Sequence, residues 1–121
     1  MAKTILIVED DDLNLKVFDD LLQAEGYYTL KNKNGINVPT ILEKEHPDLV
    51  LMDIKLPNDS GFDIIKEIKS LKKISNIPII AVTALSTRGD KKKILASGFD
   101  EFINKPMSIN KLLKTIKHFI E

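Results

Sequence analysis

The sequence predicts an α/β fold in which helices cover both faces of a parallel sheet. Three short, nearly continuous apolar segments indicate strands that are buried on both faces: Thr4–Val8, residues 48–52 and residues 77–82. Segments with helical periodicity lie between these strands, and the links are short. Such alternation is typical of parallel strands joined by right-handed crossovers.

The remaining elements follow from weaker patterns. Residues 27–31 and 99–103 predict two less apolar strands nearer the sheet edges. The first helix has an apolar face formed by Leu13, Val17, Leu21, Phe18 and Leu22. Asp11 or Asp12 is interpreted as its cap rather than as part of a site, and Gly26 ends it.

Four further helices complete five strand–helix units. Residues 34–46 predict the second helix. Pro39 must then lie in its first turn, where proline is tolerated. The third helix has an apolar face formed by Phe62, Ile64, Ile65, Ile68 and Leu71. Residues 87–97, with few apolar side chains, predict the fourth. Ser108 caps the fifth, whose apolar face is formed by Ile109, Leu112, Leu113, Ile116 and Ile120.

Composition excludes several classes of protein. The 121 residues fit one domain, and 43% hydrophobic with 30% charged residues is typical of a globular protein. There is no cysteine, so neither disulfides nor thiolate metal sites are expected. The 18 basic and 18 acidic residues cancel, so no global field favours nucleic acid or a membrane. No apolar segment is long enough to span a bilayer or act as a signal peptide.

Polar residues follow the predicted strands at the edge where parallel strands all end. Glu9 and Asp10 follow the first strand, Asp53 the third, Thr83 the fourth and Lys105 the fifth. In open α/β sheets, ligands bind beyond the carboxyl ends of the strands, where strand order reverses. We therefore expect these five residues to form one functional site.

The residue types in this set indicate phosphoryl chemistry. The carboxylates of Glu9, Asp10 and Asp53 would repel one another unless a cation lay between them. Mg²⁺ prefers a few carboxylate oxygens, waters and a substrate phosphate. A carboxylate such as Asp53 can attack a phosphoryl group, and a cation such as Lys105 would offset charge on the transferred oxygens.

Four stretches of the sequence resemble the receiver domains of two-component response regulators. They are residues 5–10, residues 47–53 with Pro57 and Gly61, residues 79–84, and residues 98–106. The first stretch, followed by Leu13 and Asn14, is most similar to stand-alone, single-domain regulators of the DivK kind. The resemblance implies one response regulatory domain over residues 1–121. Its fold would be flavodoxin-like (CheY-like), with a five-stranded parallel sheet in the order 2-1-3-4-5 and five helices.

The resemblance also implies a phosphoacceptor and a metal site. Asp53 would accept a phosphoryl group from a sensor histidine kinase or a histidine phosphotransfer protein. Asp10 and Asp53 would bind Mg²⁺ together with the main-chain carbonyl of Lys55. Glu9 would act close by, through water.

Two further residues would hold the phosphoryl oxygens, namely Thr83 and Lys105. Phe102 would be the aromatic switch residue that repositions with Thr83; the alternative is an ordinary core aromatic residue. Many receivers have a polar residue at the positions occupied here by Lys55 and Leu85. Leu85 cannot hydrogen-bond an attacking water, so we expect slow hydrolysis of the aspartyl phosphate.

By the same resemblance, a downstream protein would bind the face formed by helix 4, strand 5 and helix 5. The polar side of that last helix carries Lys111, Lys114 and Lys117. These lysines would either contribute to partner binding or form only a solvated face. We expect a cytoplasmic protein that controls partners in cell-division signalling, without binding nucleic acid or membranes. No output domain is expected, and the chain would catalyse only its own phosphorylation and slow dephosphorylation.

Three other functions fit the pattern less well. An aspartate phosphohydrolase would need a second acid two residues after the nucleophile, and position 55 is lysine. A flavodoxin-like electron carrier would need a phosphate-binding loop after the first strand, where residues 9–12 are all acidic and would repel the flavin phosphate. An inert scaffold would have no need of the complete set of acids, hydroxyl and lysine.

Overall fold

Five strands and five helices alternate in the computed structural model, which describes residues 2–56, 60–84, 87–105 and 108–121. The strands are β1 Thr4–Val8, β2 Tyr28–Asn32, β3 Leu49–Asp53, β4 Ile79–Thr83 and β5 Glu101–Asn104. The helices are α1 Asp12–Ala24, α2 Val38–Glu45, α3 Gly61–Ser70, α4 Arg88–Ala96 and α5 Ile109–Ile120. No helix in these ranges is long and apolar enough to cross a membrane.

The strands form one parallel sheet in the order β2-β1-β3-β4-β5, which confirms the fold expected from the sequence. The central strands β3 and β4 are buried along their whole length, whereas the edge strands β2 and β5 are partly exposed. This is why the central strands have continuous apolar sequences. Strand order reverses at β1 and β3, so the crevice for a ligand opens between their carboxyl ends.

Each face of the sheet has its own hydrophobic core, because successive side chains of a strand point to opposite faces. One core contains Leu6 and Val8 and is covered by α2, α3 and α4. The other contains Ile5 and Ile7 and is covered by α1 and α5. Helix α5 buries Leu112 and Ile116 as predicted, whereas Ile109 in its first turn is 50% exposed.

Helix α1 packs through a face that overlaps the predicted one at Phe18 and Leu22 but is rotated away from Leu13 and Val17. The buried residues are Leu15, Phe18 and Leu22, while Leu13 is 70% exposed and Val17 45% exposed. Apolar residues cover more than half of the circumference of this helix, so periodicity alone permits two overlapping stripes. Tertiary contacts with β2 select between them.

A buried carboxylate on α1 makes those contacts. Asp19, only 8% exposed, accepts hydrogen bonds from the Thr29 hydroxyl of β2 and from Gln23, and Lys31 lies 3.3 Å away. These hydrogen bonds hold the pKa of Asp19 below its ordinary value. A buried acid needs such partners, so the side of α1 that carries Asp19 faces the sheet.

Helix α2 is shorter than the predicted span of residues 34–46. Gly35 and Asn37 both have left-handed backbone conformations, with φ of 78° and 63°. The Asn32 side chain stabilises this loop by accepting hydrogen bonds from the backbone of Asn34 and Gly35. The helix therefore begins at Val38, with Pro39 in its first turn as expected.

Strand β5 begins two residues later than predicted. Phe99 is buried beside the ring of Phe62, at a centroid distance of 6.3 Å, and lies between the turn that follows α4 and the first residue of β5. The Asp100 carboxylate accepts a hydrogen bond from the backbone of Ile79. The other predicted strand ends differ from the observed ones by two residues or fewer.

Helix α4 is weakly attached to the sheet, because Ile94 is its only buried residue. Its N-terminus is a capping box between Thr87 and Asp90. Two lysines add contacts with aromatic rings: the Nζ of Lys93 lies 4.4 Å from the centroid of the Phe62 ring, and Lys91 contacts a ring of β5.

We predict that Gly61→Ala destabilises the fold by about 1–3 kcal/mol, because the added methyl group would clash with backbone atoms of β3 and the residue after it. A Cβ at this position would lie 2.8 Å from the Cα of Ile54 and 3.1 Å from the carbonyl oxygen of Asp53. Urea denaturation provides the measurement.

The matched control is Gly89→Ala, also in the first turn of a helix. Among the described residues, a Cβ there meets the Thr87 hydroxyl at 3.9 Å, which is ordinary van der Waals contact. The control should stabilise the protein by up to about 1 kcal/mol, because alanine favours the helix. Equal effects of the two substitutions would refute the close packing at Gly61.

Candidate functional site

The predicted site residues meet at the carboxyl edge of the sheet. Glu9 and Asp10 follow β1, Asp53 and Thr83 are the last residues of β3 and β4, and Lys105 follows β5. The Lys105 backbone donates a 2.8 Å hydrogen bond to the Thr83 carbonyl, which extends the pairing of β5 with β4 up to the site. The sheet topology thus brings together residues that are far apart in the chain.

Lys105 connects two of the carboxylates. Its ammonium nitrogen lies 2.8 Å from Oε1 of Glu9 and 2.9 Å from Oδ2 of Asp53. The Glu9 side chain is 2% exposed and that of Lys105 is 23% exposed. Since a buried carboxylate is costly without a partner, this cation stabilises both acids.

Asp53 is held in a fixed orientation. Its Oδ2 accepts the hydrogen bond from Lys105, and its Oδ1 accepts one from the backbone of Lys55 at 3.1 Å. The residue is 8% exposed at the end of a fully buried strand. Its carbonyl oxygen lies under Gly61, so the first turn of α3 packs directly against the backbone of this acid.

The acids form a set of oxygen atoms that fits a hard cation. One carboxylate oxygen from each of Glu9, Asp10 and Asp53 lies within 4.8 Å of the other two. Asp10 is exposed, so this group of oxygens is open to solvent on one side. Three carboxylate oxygens with room for waters suit the coordination of Mg²⁺.

The pKa values of Glu9 and Lys105 reflect the burial and the close approach of these charged groups. Burial raises the pKa of Glu9 above its ordinary value and the charge of Asp53 adds to the effect, although the hydrogen bond from Lys105 opposes it. Burial alone would lower the pKa of Lys105, but its hydrogen bonds to Glu9 and Asp53 raise it overall. Lys105 is therefore a firmly protonated cation beside the acids.

Thr83 and Phe102 lie on adjacent strands beside the site. Thr83 is 1% exposed and pairs in register with Asn104, two residues after Phe102. Phe102 is half-buried against the core on the α3 and α4 face, and the Nζ of Lys91 lies 5.6 Å from the centroid of its ring. Phe102 thus contacts both the core and helix α4.

Two contacts at the site were not anticipated from the sequence. The first is the ion pair between Lys105 and Glu9, residues for which separate ligands were expected. The second is an ion pair between Asp12 and Lys33 in the β2–α2 loop. Both pairs join segments that are remote in the chain, and no local pattern signals them. Asp11 caps α1 by accepting a 2.9 Å hydrogen bond from the backbone of Asn14, as predicted.

Lys55 lies at the edge of the site, and three other residues named in the sequence analysis lie beyond the described part of the chain. The side chain of Lys55 is exposed, and among the described residues its backbone pairs with Ser60 in an isolated bridge. Leu85 and the prolines at 57 and 106 lie outside the described residues.

The family model of the response regulator receiver domain matches residues 5–117. The polar-differentiation response regulator DivK of Brucella ovis is 41% identical over 120 residues, which is 99% of this chain and 98% of that protein.

Solved structures show the same fold. The receiver domain of a sensor histidine kinase from Pseudomonas aeruginosa PAO1, solved with a magnesium ion in its active site cleft, is 30% identical with a TM-score of 0.91. The alignment covers 99% of this chain and 98% of that one. A Vibrio cholerae chemotaxis protein, 23% identical over 98% of this chain and 99% of its own, has a TM-score of 0.90 and supports the fold alone.

We predict that Lys105→Met lowers the free energy of unfolding at neutral pH by about 1–3 kcal/mol, because it leaves Glu9 and Asp53 without their cation. The lysine is partly exposed, so the loss should fall below that of a fully buried pair. Urea denaturation in the presence of a metal chelator is the measurement.

A double variant separates charge from packing. Adding Glu9→Gln to Lys105→Met removes the more deeply buried of the two uncompensated charges and should restore part of the lost stability. If the double variant were as unstable as the single one, the loss would come from packing, and the ion pair would not explain it.

Proposed function

The chain belongs to the response regulator receiver family, and on that premise we propose that it is a phosphoacceptor switch in which Asp53 takes a phosphoryl group from a partner protein. The observation that carries this proposal is the position of Asp53 at the end of a buried central strand. One of its oxygens is held by the Lys55 backbone and the other by the Lys105 ammonium group.

The proposed reaction is transfer from a phosphohistidine to a carboxylate. An oxygen of Asp53 attacks the phosphorus, a new oxygen–phosphorus bond forms, and the phosphorus–nitrogen bond of the donor breaks. The leaving imidazole keeps the bonding electrons and takes a proton from solvent. Positioning and charge compensation provide most of the catalysis in such transfers. The donor would be a sensor histidine kinase or a histidine phosphotransfer protein.

Lys105 and Thr83 would hold the transferred group. The ammonium group of Lys105 already contacts Asp53, so it can offset the charge of the incoming phosphoryl oxygens with little movement. The Thr83 hydroxyl, at the end of the neighbouring strand, would donate a hydrogen bond to one of them. These contacts would connect the modified acid to β4 and β5.

The acids would hold Mg²⁺ during the transfer. Glu9, Asp10 and Asp53, with the main-chain carbonyl of Lys55, are the proposed ligands, Glu9 acting through water. When bound, the ion supplies positive charge between the carboxylates and the phosphoryl group. Support comes from the 4.8 Å carboxylate cluster and from the magnesium ion in the Pseudomonas aeruginosa receiver domain.

Phosphorylation would act on partners through the face formed by α4, β5 and α5. Contacts of Thr83 and Lys105 with the phosphoryl group favour a state in which Thr83 and Phe102 reposition together. Phe102 contacts Lys91 of α4, so a change at β5 would reach that helix. The likeness to a polar-differentiation response regulator supports a proposed role in cell-division signalling. We also propose that the protein acts in the cytoplasm and binds neither nucleic acid nor membranes.

The phosphorylated state would be long-lived. Hydrolysis requires a water aligned opposite the leaving oxygen, and the leucine at position 85 offers it no hydrogen bond. Lys55 could donate a hydrogen bond to that water, but it supplies no carboxylate to accept the proton of the water. The protein would therefore be reset by back-transfer to a partner or by an external phosphatase, and it would act on no other substrate.

We predict that acetyl phosphate adds one phosphoryl group to the protein, on Asp53, and only when Mg²⁺ is present. Without the cation, the acids repel the anionic donor. Intact mass followed by peptide mapping is the measurement, with Asp53→Asn expected to take up none. Modification of a different residue in the wild type would exclude Asp53 as the acceptor.

Two acidic substitutions test the metal ligands within this experiment. Asp10→Ala should strongly raise the Mg²⁺ concentration that half-maximal phosphorylation requires. Asp12→Ala removes the same charge in the first turn of α1, where Asp12 forms an ion pair with Lys33, and should change that concentration little. Equal effects of both substitutions would show that general charge, not coordination by Asp10, controls the requirement.

A further inference from the structure

The β2–α2 loop, residues 33–37, follows the carboxyl end of β2, on the same edge of the sheet as the site. The side chain of Asn32 organises this loop. Its Oδ1 accepts hydrogen bonds from the backbone of Asn34 at 3.2 Å and from that of Gly35 at 2.7 Å. Its Nδ2 donates a 3.0 Å hydrogen bond to the carbonyl of Ile36. One side chain therefore fixes the backbone of three successive loop residues.

This loop contacts segments on both sides of the crevice. The backbone of Glu9 donates a 3.0 Å hydrogen bond to the carbonyl of Asn32, which joins the base of the loop to the residue after β1. Gly35 is buried, and a Cβ at its position would lie 3.0 Å from Cδ1 of Leu56 and 3.1 Å from Cδ1 of Ile64. The backbone of Gly35 thus packs directly against these two side chains.

Leu56 connects the loop to the phosphoacceptor. It is half-buried and packs against the core that is covered by α2, α3 and α4. The preceding residue, Lys55, donates its backbone N–H to Oδ1 of Asp53 at 3.1 Å. The carbonyl of Lys55 belongs to the planar peptide group that joins it to Leu56. A displacement of Leu56 is therefore transmitted to that carbonyl.

We propose that Asn32 and Gly35 are positioning residues that hold Leu56, and through it the main-chain carbonyl of Lys55, in the orientation that Mg²⁺ requires. The inference rests on the proposed function, in which this carbonyl is a metal ligand. Mg²⁺ demands near-ideal octahedral geometry, so a small rotation of one ligand weakens its binding. A main-chain carbonyl has no side-chain rotamer with which to adjust, and its direction depends on the packing around it.

The first test is Asn32→Ala, which removes three hydrogen bonds and leaves the net charge unchanged. Mg²⁺ is titrated into the protein without a phosphodonor and followed by amide chemical shifts in NMR spectra. Binding should weaken about threefold to tenfold, less than the roughly 10–100-fold loss expected when a direct partner of a metal ligand is removed. In the metal-free protein the amide of Lys55 should exchange faster with solvent. Unchanged Mg²⁺ affinity would overturn the proposal.

Two glycines with left-handed backbones separate positioning from stability. Gly35, with φ of 78°, lies beside Leu56, whereas Gly26, with φ of 90°, lies at the opposite end of β2. Among the described residues, a Cβ at Gly26 meets no atom within 4 Å. Alanine is strained at both positions, so Gly35→Ala and Gly26→Ala should both unfold at lower urea concentrations. Only Gly35→Ala should weaken Mg²⁺ binding. Equal weakening in both variants would show an effect of stability alone and refute the positioning role.

Phosphorylation by acetyl phosphate provides a second readout. Asn32→Ala should need a several-fold higher Mg²⁺ concentration for half-maximal uptake, yet reach the wild-type level at saturating Mg²⁺, because Asp53 and Lys105 are unaltered. A lower final level in the variant would show that the loop acts on the acceptor rather than on the metal, against the proposal. Absence of uptake by the wild type would refute the proposed function instead, and the titration without phosphodonor would still decide the role of Asn32.

Discussion

The ammonium group of Lys105 lies between the carboxylates of Glu9 and Asp53, at 2.8 and 2.9 Å, and the site depends on this contact. Two acids can be buried at the end of a hydrophobic sheet only where a cation compensates their charge. The sheet order supplies that cation, because it places β5 on the same edge as β1 and β3. The residue that stabilises the two acids is also the one that would hold a transferred phosphoryl group.

Most of the fold could be predicted from the sequence, because central parallel strands require continuous apolar segments. The failures occurred where several solutions satisfied the same pattern. In α1, the exposed Leu13 and Val17 have the same spacing as core residues, and only the hydrogen bonds of the buried Asp19 with β2 distinguish the two faces. In α2, the left-handed conformations of Gly35 and Asn37 shift the start of the helix to Val38. The periodicity of apolar residues carries no information about these backbone angles.

The members of the site were predictable, but their contacts were not. Each of Glu9, Asp10, Asp53 and Lys105 follows a predicted strand, and the rule for parallel sheets places them together. The ion pair of Glu9 with Lys105 depends on side-chain reach across the crevice, which a sequence pattern does not encode.

The central claim is that Lys105 couples phosphorylation of Asp53 to β5 and α4. Amide hydrogen exchange tests it most directly, by comparing wild type and Lys105→Ala before and after phosphorylation, with equal phosphorylation verified by mass. The account predicts that phosphorylation changes exchange in β5 and in the weakly attached α4 of the wild type and leaves the variant unchanged. An equal response in both proteins would contradict it, because the switch would then operate without Lys105.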